Sequence, residues 1–204
     1  MAGIINQLDK NSIHLINRIC FGPKLEWLKK DTRSILENRS IAQEWLFETI
    51  GQYKPISVKK EVAFINGESA EQIRLRKQDP TESLIFDWLI TMVETDNPIR
   101  EISALFWHHH IPSAKGNDHH QHSRLLLEVY RKYGLKDLRT LLIKISENPA
   151  MMYWLDGHWS HKNNPNENFP RELMELYTLG EGHYTFQDVK EAGRAFTGRR
   201  FNHD

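Results

Sequence analysis

Two carboxylates, Glu172 and Glu175, stand three residues apart within residues 166–180. On a helix that spacing presents both on adjoining turns. Such a pair can contribute to a metal site or share the work of proton transfer. Arg171 beside them suits an anion clamp, and Glu167 offers one more oxygen. The bland alternative is an ion-pair lattice. Arg171 lies four residues from Glu175, and Arg194, Arg199 and Arg200 can fold back from the segment that follows.

The chain also holds 11 histidines, and eight of them are grouped: His108, His109 and His110, then His119, His120 and His122, then His158 and His161. Histidine is the commonest metal ligand and the usual general acid or base. Helical geometry thins this set. If 99–110 stays helical, His108 and His110 point roughly 160° apart and cannot hold one ion unless the chain unwinds. On that wheel His109 and His110 fall toward Ile99, Ile102, Leu105 and Phe106, with His108 beside Glu101 on the other side. A hydrogen-bonded, partly buried histidine next to an aromatic pair is the alternative there. His119 and His122 have a chelating spacing but sit in a first turn, where solvated polar residues are ordinary. His158 and His161 lie in an Asn-rich loop from which they can join Asp156 or Glu167. The candidate metal ligands are therefore His108, His110, Glu167 and Glu172, with a divalent cation as the candidate cofactor. The candidate catalytic residues are Glu172, Glu175 and Arg171.

The helix that would carry the two carboxylates is well marked. Asn168 is a suitable N-cap, Pro170 falls in the first turn where its missing N–H costs nothing, and Gly180 follows the last turn. At about 100° per residue, Phe169, Leu173, Leu176, Tyr177 and Leu179 share one face. Glu172 falls between Leu176 and Leu179 on that face, and Glu175 falls at its edge. A carboxylate on the buried side must be paired, protonated or bound to a cation, because leaving it bare costs several kcal/mol.

Most of the remaining sequence is also periodic at helical spacing. Asn11 or Ser12 caps a first helix that stops at Gly22-Pro23, 25–38 is a second helical zone, and Ser40 with Gln43 boxes a third over 41–50. Residues 51–80 break the pattern and are expected as a polar insertion or surface loop, with a short strand at 62–65. Helices are expected again at 81–94, 99–110, from the Asp118/Gln121 box to Tyr133 and at 136–147, followed by a short turn at 149–155. Thr185 caps a last helix, Asp188 closes its box, and it ends at Thr197-Gly198. The spacing thus implies an all-α, multi-helix orthogonal or antiparallel domain.

Bulk composition narrows the function classes. The chain has 204 residues, and Lys plus Arg and Asp plus Glu are both 27. Charge therefore gives no strong nucleic-acid signal. The single Cys20 excludes an internal disulfide framework and a multi-cysteine zinc cluster. No apolar run approaches the ~20 residues of a membrane span. The first ten residues lack a signal-peptide core, which places the product as written in the cytoplasm; an upstream segment would make it an exported protein. His-Glu-x-x-His, Gly-x-Ser-x-Gly, Cys-x-x-Cys and phosphate-cradling glycine loops are missing from the sequence, so the common hydrolase, kinase and dehydrogenase readings lose their anchor.

Five segments in order resemble one family. They are His14-Leu15-Ile16-Asn17-Arg18 through Gly22-Pro23, Leu105-Phe106-Trp107-His108-His109-His110, Asp137–Leu142 together with Asn148-Pro149-Ala150 through Asp156, Asn164-Pro165-Asn166-Glu167-Asn168 through Gly180, and Tyr184-Thr185 with Asp188-Val189 through Arg194-Ala195-Phe196-Thr197-Gly198. This pattern is similar to domain of unknown function 1800, a group of bacterial proteins. The resemblance implies a largely helical domain and brings no established activity or ligand. It makes Arg18, Trp107, Asn166, Asn168, Thr185, Asp188, Arg194, Thr197 and Gly198 structural motif residues. Arg199 stands where the family usually has Trp, so the packing after the last helix is expected to differ. Members are longer, so residues 1–204 are expected to be the N-terminal portion of a single helical domain, with the missing C-terminal part as the main packing partner. Two functions compete: an enzyme working by metal or acid/base chemistry through Glu172 and Glu175 with His108 or His110, and a non-enzymatic helical scaffold or binding module. In the second, the charged motif residues only cap helices and form buried ion pairs.

Overall fold

The computed structural model describes residues 14, 18, 21, 80–113 and 120–200. Helices dominate them, and no strand occurs among the described residues, so the fold is all-α. No helix among them is long and apolar enough to cross a membrane. His14 and Arg18 are helical and exposed. The other expectations before residue 80, the side chain of Cys20 and the Asp118 box lie outside the described residues.

The chain forms two compact units, Met1–Leu105 and Phe106–Asp204. The first includes α1 (Pro80–Glu94) and the start of α2 (Pro98–His110). The expected wheel of α2 is turned over. Its buried residues are Pro98, Arg100, Glu101, Ser103 and Ala104, while Leu105 and Phe106 are exposed. The reason lies at Glu101, which is 0% exposed and accepts a hydrogen bond from Trp88 Nε1 at 2.9 Å. A donor aimed at the carboxylate offsets the desolvation that would otherwise expel it. Hydrophobic periodicity cannot register a polar face made soluble in the interior by its partners.

The second unit contains α3 (His120–Tyr133), α4 (Leu138–Ser146), α5 (Pro149–Trp154), a 3₁₀ turn (Gly157–Trp159), α6 (Asn168–Glu172), a π segment (Leu173–Thr178) and α7 (Phe186–Ala195). Its core gathers Ile111, Leu126, Tyr130, Leu141, Ile145, Met151 and Val189, all nearly inaccessible. Each such aliphatic side chain contributes about 1.5–3 kcal/mol when fully buried. Leu141 and Ile145 are one helical turn apart on α4, so a single face supplies both. Asp137, not Lys136, opens that helix: its Oδ1 accepts from Thr140 N at 2.8 Å. Asn148 does the same for Ala150 N at 2.9 Å, with Pro149 at the first helical position. The buried Tyr130 hydroxyl donates to the Ile111 carbonyl and ties α3 to the chain leaving α2.

Candidate functional site

The segment expected as one capped α-helix is two things. α6 runs only from Asn168 to Glu172, and Leu173–Thr178 is wound as a π turn. The N-cap also moves. Glu167 is the residue before the helix and makes no side-chain cap, whereas Asn166 Oδ1 accepts from Asn168 N at 2.8 Å. Asn168 is therefore inside the helix, and the Asx turn one step earlier does the work expected of it. At the far end Leu179 N and Gly180 N both donate to Met174 O, at 2.8 and 3.0 Å. Gly180 has φ of 83°, a left-handed conformation that a glycine enters without a Cβ clash.

The π winding changes which residues share a face. In an α-helix residues five apart point roughly 140° away from each other. In a ladder of i→i+5 bonds they lie one above the other. The result overturns the expected apolar stripe: Leu176 is 60% and Leu179 52% exposed, while Phe169, Pro170 and Tyr177 are buried. Glu172 and Glu175 are both half-buried rather than sunk in a core. Glu172 lies close enough to Tyr177, five residues on, to act on it electrostatically. Burial first, and then the Glu172 charge, push the Tyr177 hydroxyl up to about 12. Tyr130 is raised too, by burial and then by Tyr177.

The charged residues around this turn have separate fates. Arg171 does not pair with Glu175; it reaches back to Glu167 at 3.2 Å. Glu175 accepts from Tyr184 Oη at 2.6 Å, and this bond is the main reason the Tyr184 hydroxyl is raised. Arg194 pairs with Glu191 at 2.8 Å on exposed helix surface. These pairs are exposed or half-exposed, not buried, and pairs of that kind contribute about 0–1 kcal/mol. Glu172 alone of the three carboxylates has neither hydrogen bond nor ion pair among the described residues.

α2 stays wound through His110, so His108 and His110 diverge as helical geometry requires. His108 is half-buried, and burial followed by the neighbouring His109 lowers its pKa. His110 is exposed; its Nε2 lies 3.2 Å from Tyr177 O, which can only accept, so that ring nitrogen carries the proton. His110 thus touches the π turn through its backbone and not through Glu172. Trp107 donates from Nε1 to Gly134 O at 2.8 Å and packs edge-on against Phe106. His158 is held by Met152 O at 3.1 Å, and His161 exchanges backbone bonds with Asn164. Among the described residues no three His, Cys, Asp or Glu side chains stand together as a metal-holding group.

The later motif folds onto the earlier one. Gly193 on α7 is buried, and a Cβ there would meet Asn166 O at 3.1 Å, so the helix can approach that loop only as glycine or by displacing it. Ser160, almost wholly buried, accepts three hydrogen bonds: its Oγ accepts from Asn166 N at 3.0 Å, and its carbonyl accepts from Gly198 N at 3.2 Å and Arg200 Nη1 at 3.1 Å. Thr185 and Asp188 form the reciprocal capping box of α7, and bonds from Thr185 hold the Asp188 carboxyl below its usual range.

A family model described as protein of unknown function (DUF1800) matches residues 14–204. The chain belongs to that family. Neither a curated protein nor a solved structure matches it. In this DUF1800 member Arg199 answers the question raised by the missing Trp. Its guanidinium lies 4.7 Å over the Phe196 ring and donates to Ser146 O and Oγ at 3.1 and 3.2 Å. It packs like an aromatic residue and adds a cation at the C-terminal end of α4, where carbonyls are unpaired. Around it Met152, Gly157, Phe169 and Phe196 line a small cleft of about 330 Å³ including its open mouth. Tyr177, Tyr184 and Ser160 were not among the expected site residues. A helical wheel at 100° sets Glu172 and Tyr177 at opposite edges of the one apolar face, about 140° apart, and nothing in a lone loop serine announces its three partners.

Proposed function

We propose that the π turn carries an acid/base site with Glu172 as the proton acceptor. The observation that carries this is a half-buried carboxylate, without hydrogen bond or ion pair among the described residues, at the mouth of a π turn. π turns cost helical regularity and occur frequently at functional sites. Tyr177 supplies a hydroxyl that stays protonated at neutral pH on the same face. Glu175, held by Tyr184, is the second carboxylate, and Arg171, anchored to Glu167, is the cation for an anionic substrate group. A carboxylate positioned this way contributes about 10²–10⁴-fold to a proton transfer. A divalent cation on Glu172 would take its other ligands from solvent or substrate, since the described residues offer no group of three.

The test is a panel of chromogenic acyl, phosphoryl and glycosyl esters with the full chain and with Glu172→Gln. Turnover by the wild type, lost by at least about 100-fold in a variant with unchanged far-ultraviolet dichroism, is the expected result. Equal turnover in both proteins removes Glu172 from the chemistry.

The scaffold reading keeps one specific observation: Asn166, Arg171, Thr185, Asp188 and Arg194 are each engaged in a local cap or ion pair. On that reading Glu172→Gln leaves every activity of the chain intact.

A further inference from the structure

Arg131, Arg171 and Arg194 each reach a glutamate within four residues. Arg199 does not. Its Nη1 donates to Ser146 O and Oγ at 3.1 and 3.2 Å, and both acceptors are neutral. Its Nε and Nη2 make no hydrogen bond among the described residues, and no carboxylate there pairs with the group. Those two nitrogens are the side-on fork of a guanidinium, whose parallel N–H bonds match the two oxygens of a carboxylate. The Phe196 ring, 4.7 Å from the group, and the two bonds to Ser146 hold the fork in place. A donor fixed before its ligand arrives leaves less ordering to oppose binding.

The cleft that Arg199 lines sets what the fork can take. Met152, Phe169, Pro170 and Phe196 give it an apolar wall, and no acid stands among its lining residues. Its volume of about 330 Å³, open mouth included, is at the small end of ligand cavities, which run from about 300 to 1,000 Å³. One ring or one branched chain fits; a polymer does not. Ser160 lines the cleft too and is only 1% exposed. Its Oγ accepts from Asn166 N at 3.0 Å, while its own proton has no acceptor among the described residues. A buried donor left in that state costs free energy until an acceptor reaches it. A guanidinium fork, an unspent hydroxyl proton and an apolar wall together suit one carboxylate on a small apolar body. A phosphate would leave the apolar wall wet and bring more charge than a single fork neutralises.

We propose that this cleft binds a small apolar carboxylate, with Arg199 bridging its two oxygens, Ser160 donating to one of them and the apolar wall against its body. A free acid and the C-terminal residue of a peptide carry this same chemistry. The site is separate from Glu172 and requires nothing of the proton transfer proposed for it.

The test titrates the full chain with 3-phenylpropionate and with a tripeptide ending in phenylalanine, each beside its own amide, followed by calorimetry and two-dimensional amide spectra. Saturable binding of at least one acid is expected, with shifts at the Gly157 and Phe196 amides, and the tighter of the two names the source. The matching amide should bind about tenfold more weakly or worse, as should the acid to Arg199→Gln, since each change removes a charge-assisted bidentate pair. Arg199→Gln also loses the bonds to Ser146 and can lower the melting temperature; the acid-to-amide comparison leaves the protein unaltered and decides the matter without it. Three results overturn the proposal: no saturable binding of either acid, an amide that binds as tightly as its acid, or displacement of the acid by an equal concentration of inorganic phosphate.

Discussion

Helix α7 and the segment 168–178 carry similar residues and put them to different use. Both open on a loop with Asn or Thr, both hold acids, and both hold an arginine. In α7 the capping groups of the opening turn are engaged: Thr185 Oγ1 accepts from Asp188 N at 3.2 Å, and Asp188 Oδ2 accepts from Thr185 N at 2.8 Å. Arg194 pairs with Glu191 within the same helix. The helix then runs regularly to Ala195. In 168–178 the cap is displaced outward to Asn166, the ladder changes to π after Glu172, and Glu172 makes no bond among the described residues. One segment settles its polar groups locally; the other leaves a carboxylate in reserve beside a buried tyrosine.

The largest test of this contrast strikes the point where the two segments touch. Gly193→Val on α7 adds side-chain atoms where even a Cβ would stand 3.1 Å from Asn166 O and 3.7 Å from Glu167 Cγ. Overpacking of this kind costs about 1–3 kcal/mol, and a shift of the urea midpoint would measure it. Because the clash falls on the loop before α6, the variant should also disturb the π turn. Two-dimensional amide spectra in which only α7 shifts would show that the segments are independent.

Thr185→Ala comes next. Losing an N-cap threonine costs about 1 kcal/mol, within a range of roughly 0.5–2. The loss should stay in α7, visible as faster amide exchange in its first turn with 168–178 unaffected. An equal destabilisation from Asn166→Ala would make the two openings alike after all.

These two segments also show what was legible in the residues. Thr185 and Asp188 specify their cap by side-chain chemistry and short spacing alone, and the structure forms that box. Asp137 and Asn148 act by the same local rule. Glu101 and Leu176 fail in opposite directions, and each for a non-local reason. Glu101 is buried because Trp88, thirteen residues away in sequence, donates to it. Leu176 is exposed because the π winding rotates it out of the stripe that an α-helix would give. For the candidate site, Glu172, Glu175 and Arg171 were visible from their types and spacing, but their partners were not. Tyr177 depends on the change of helical pitch and Tyr184 on the return of the chain after Gly180, whereas Glu167 meets Arg171 by the ordinary i,i+4 spacing.

A smaller effect separates the histidine run from the carboxylates. Burial and His109 depress His108, so the folded chain takes up its proton at lower pH than the unfolded chain, whose value is near 6.5. His108 therefore adds its full share of stability above that pH. The share is lost as pH falls below 6.5 through the lowered folded value, where the unfolded state binds more protons. Between pH 7.5 and 5.5 the urea midpoint of the wild type should drop more than that of His108→Asn. Parallel drops would show that His108 gives no such contribution.

The smallest expected effect is the most informative one. Glu172→Gln removes a charge that has no bonded partner among the described residues and acts on Tyr177, whose hydroxyl that charge helps to raise. Stability should change by no more than about 0.5 kcal/mol, the ordinary range for a side chain without a structural partner. A gain would fit a residue held in place for function at the expense of stability. Relief of the Glu172 field should also bring the Tyr177 hydroxyl down from about 12, measurable by ultraviolet titration of the phenolate against the parent. Glu175→Gln supplies the contrast, because it replaces an ionised acceptor for the Tyr184 hydroxyl with a neutral one and so weakens an existing bond. If Glu172→Gln destabilises the fold more than Glu175→Gln, Glu172 is a structural residue like those of α7, and the difference between the two segments disappears.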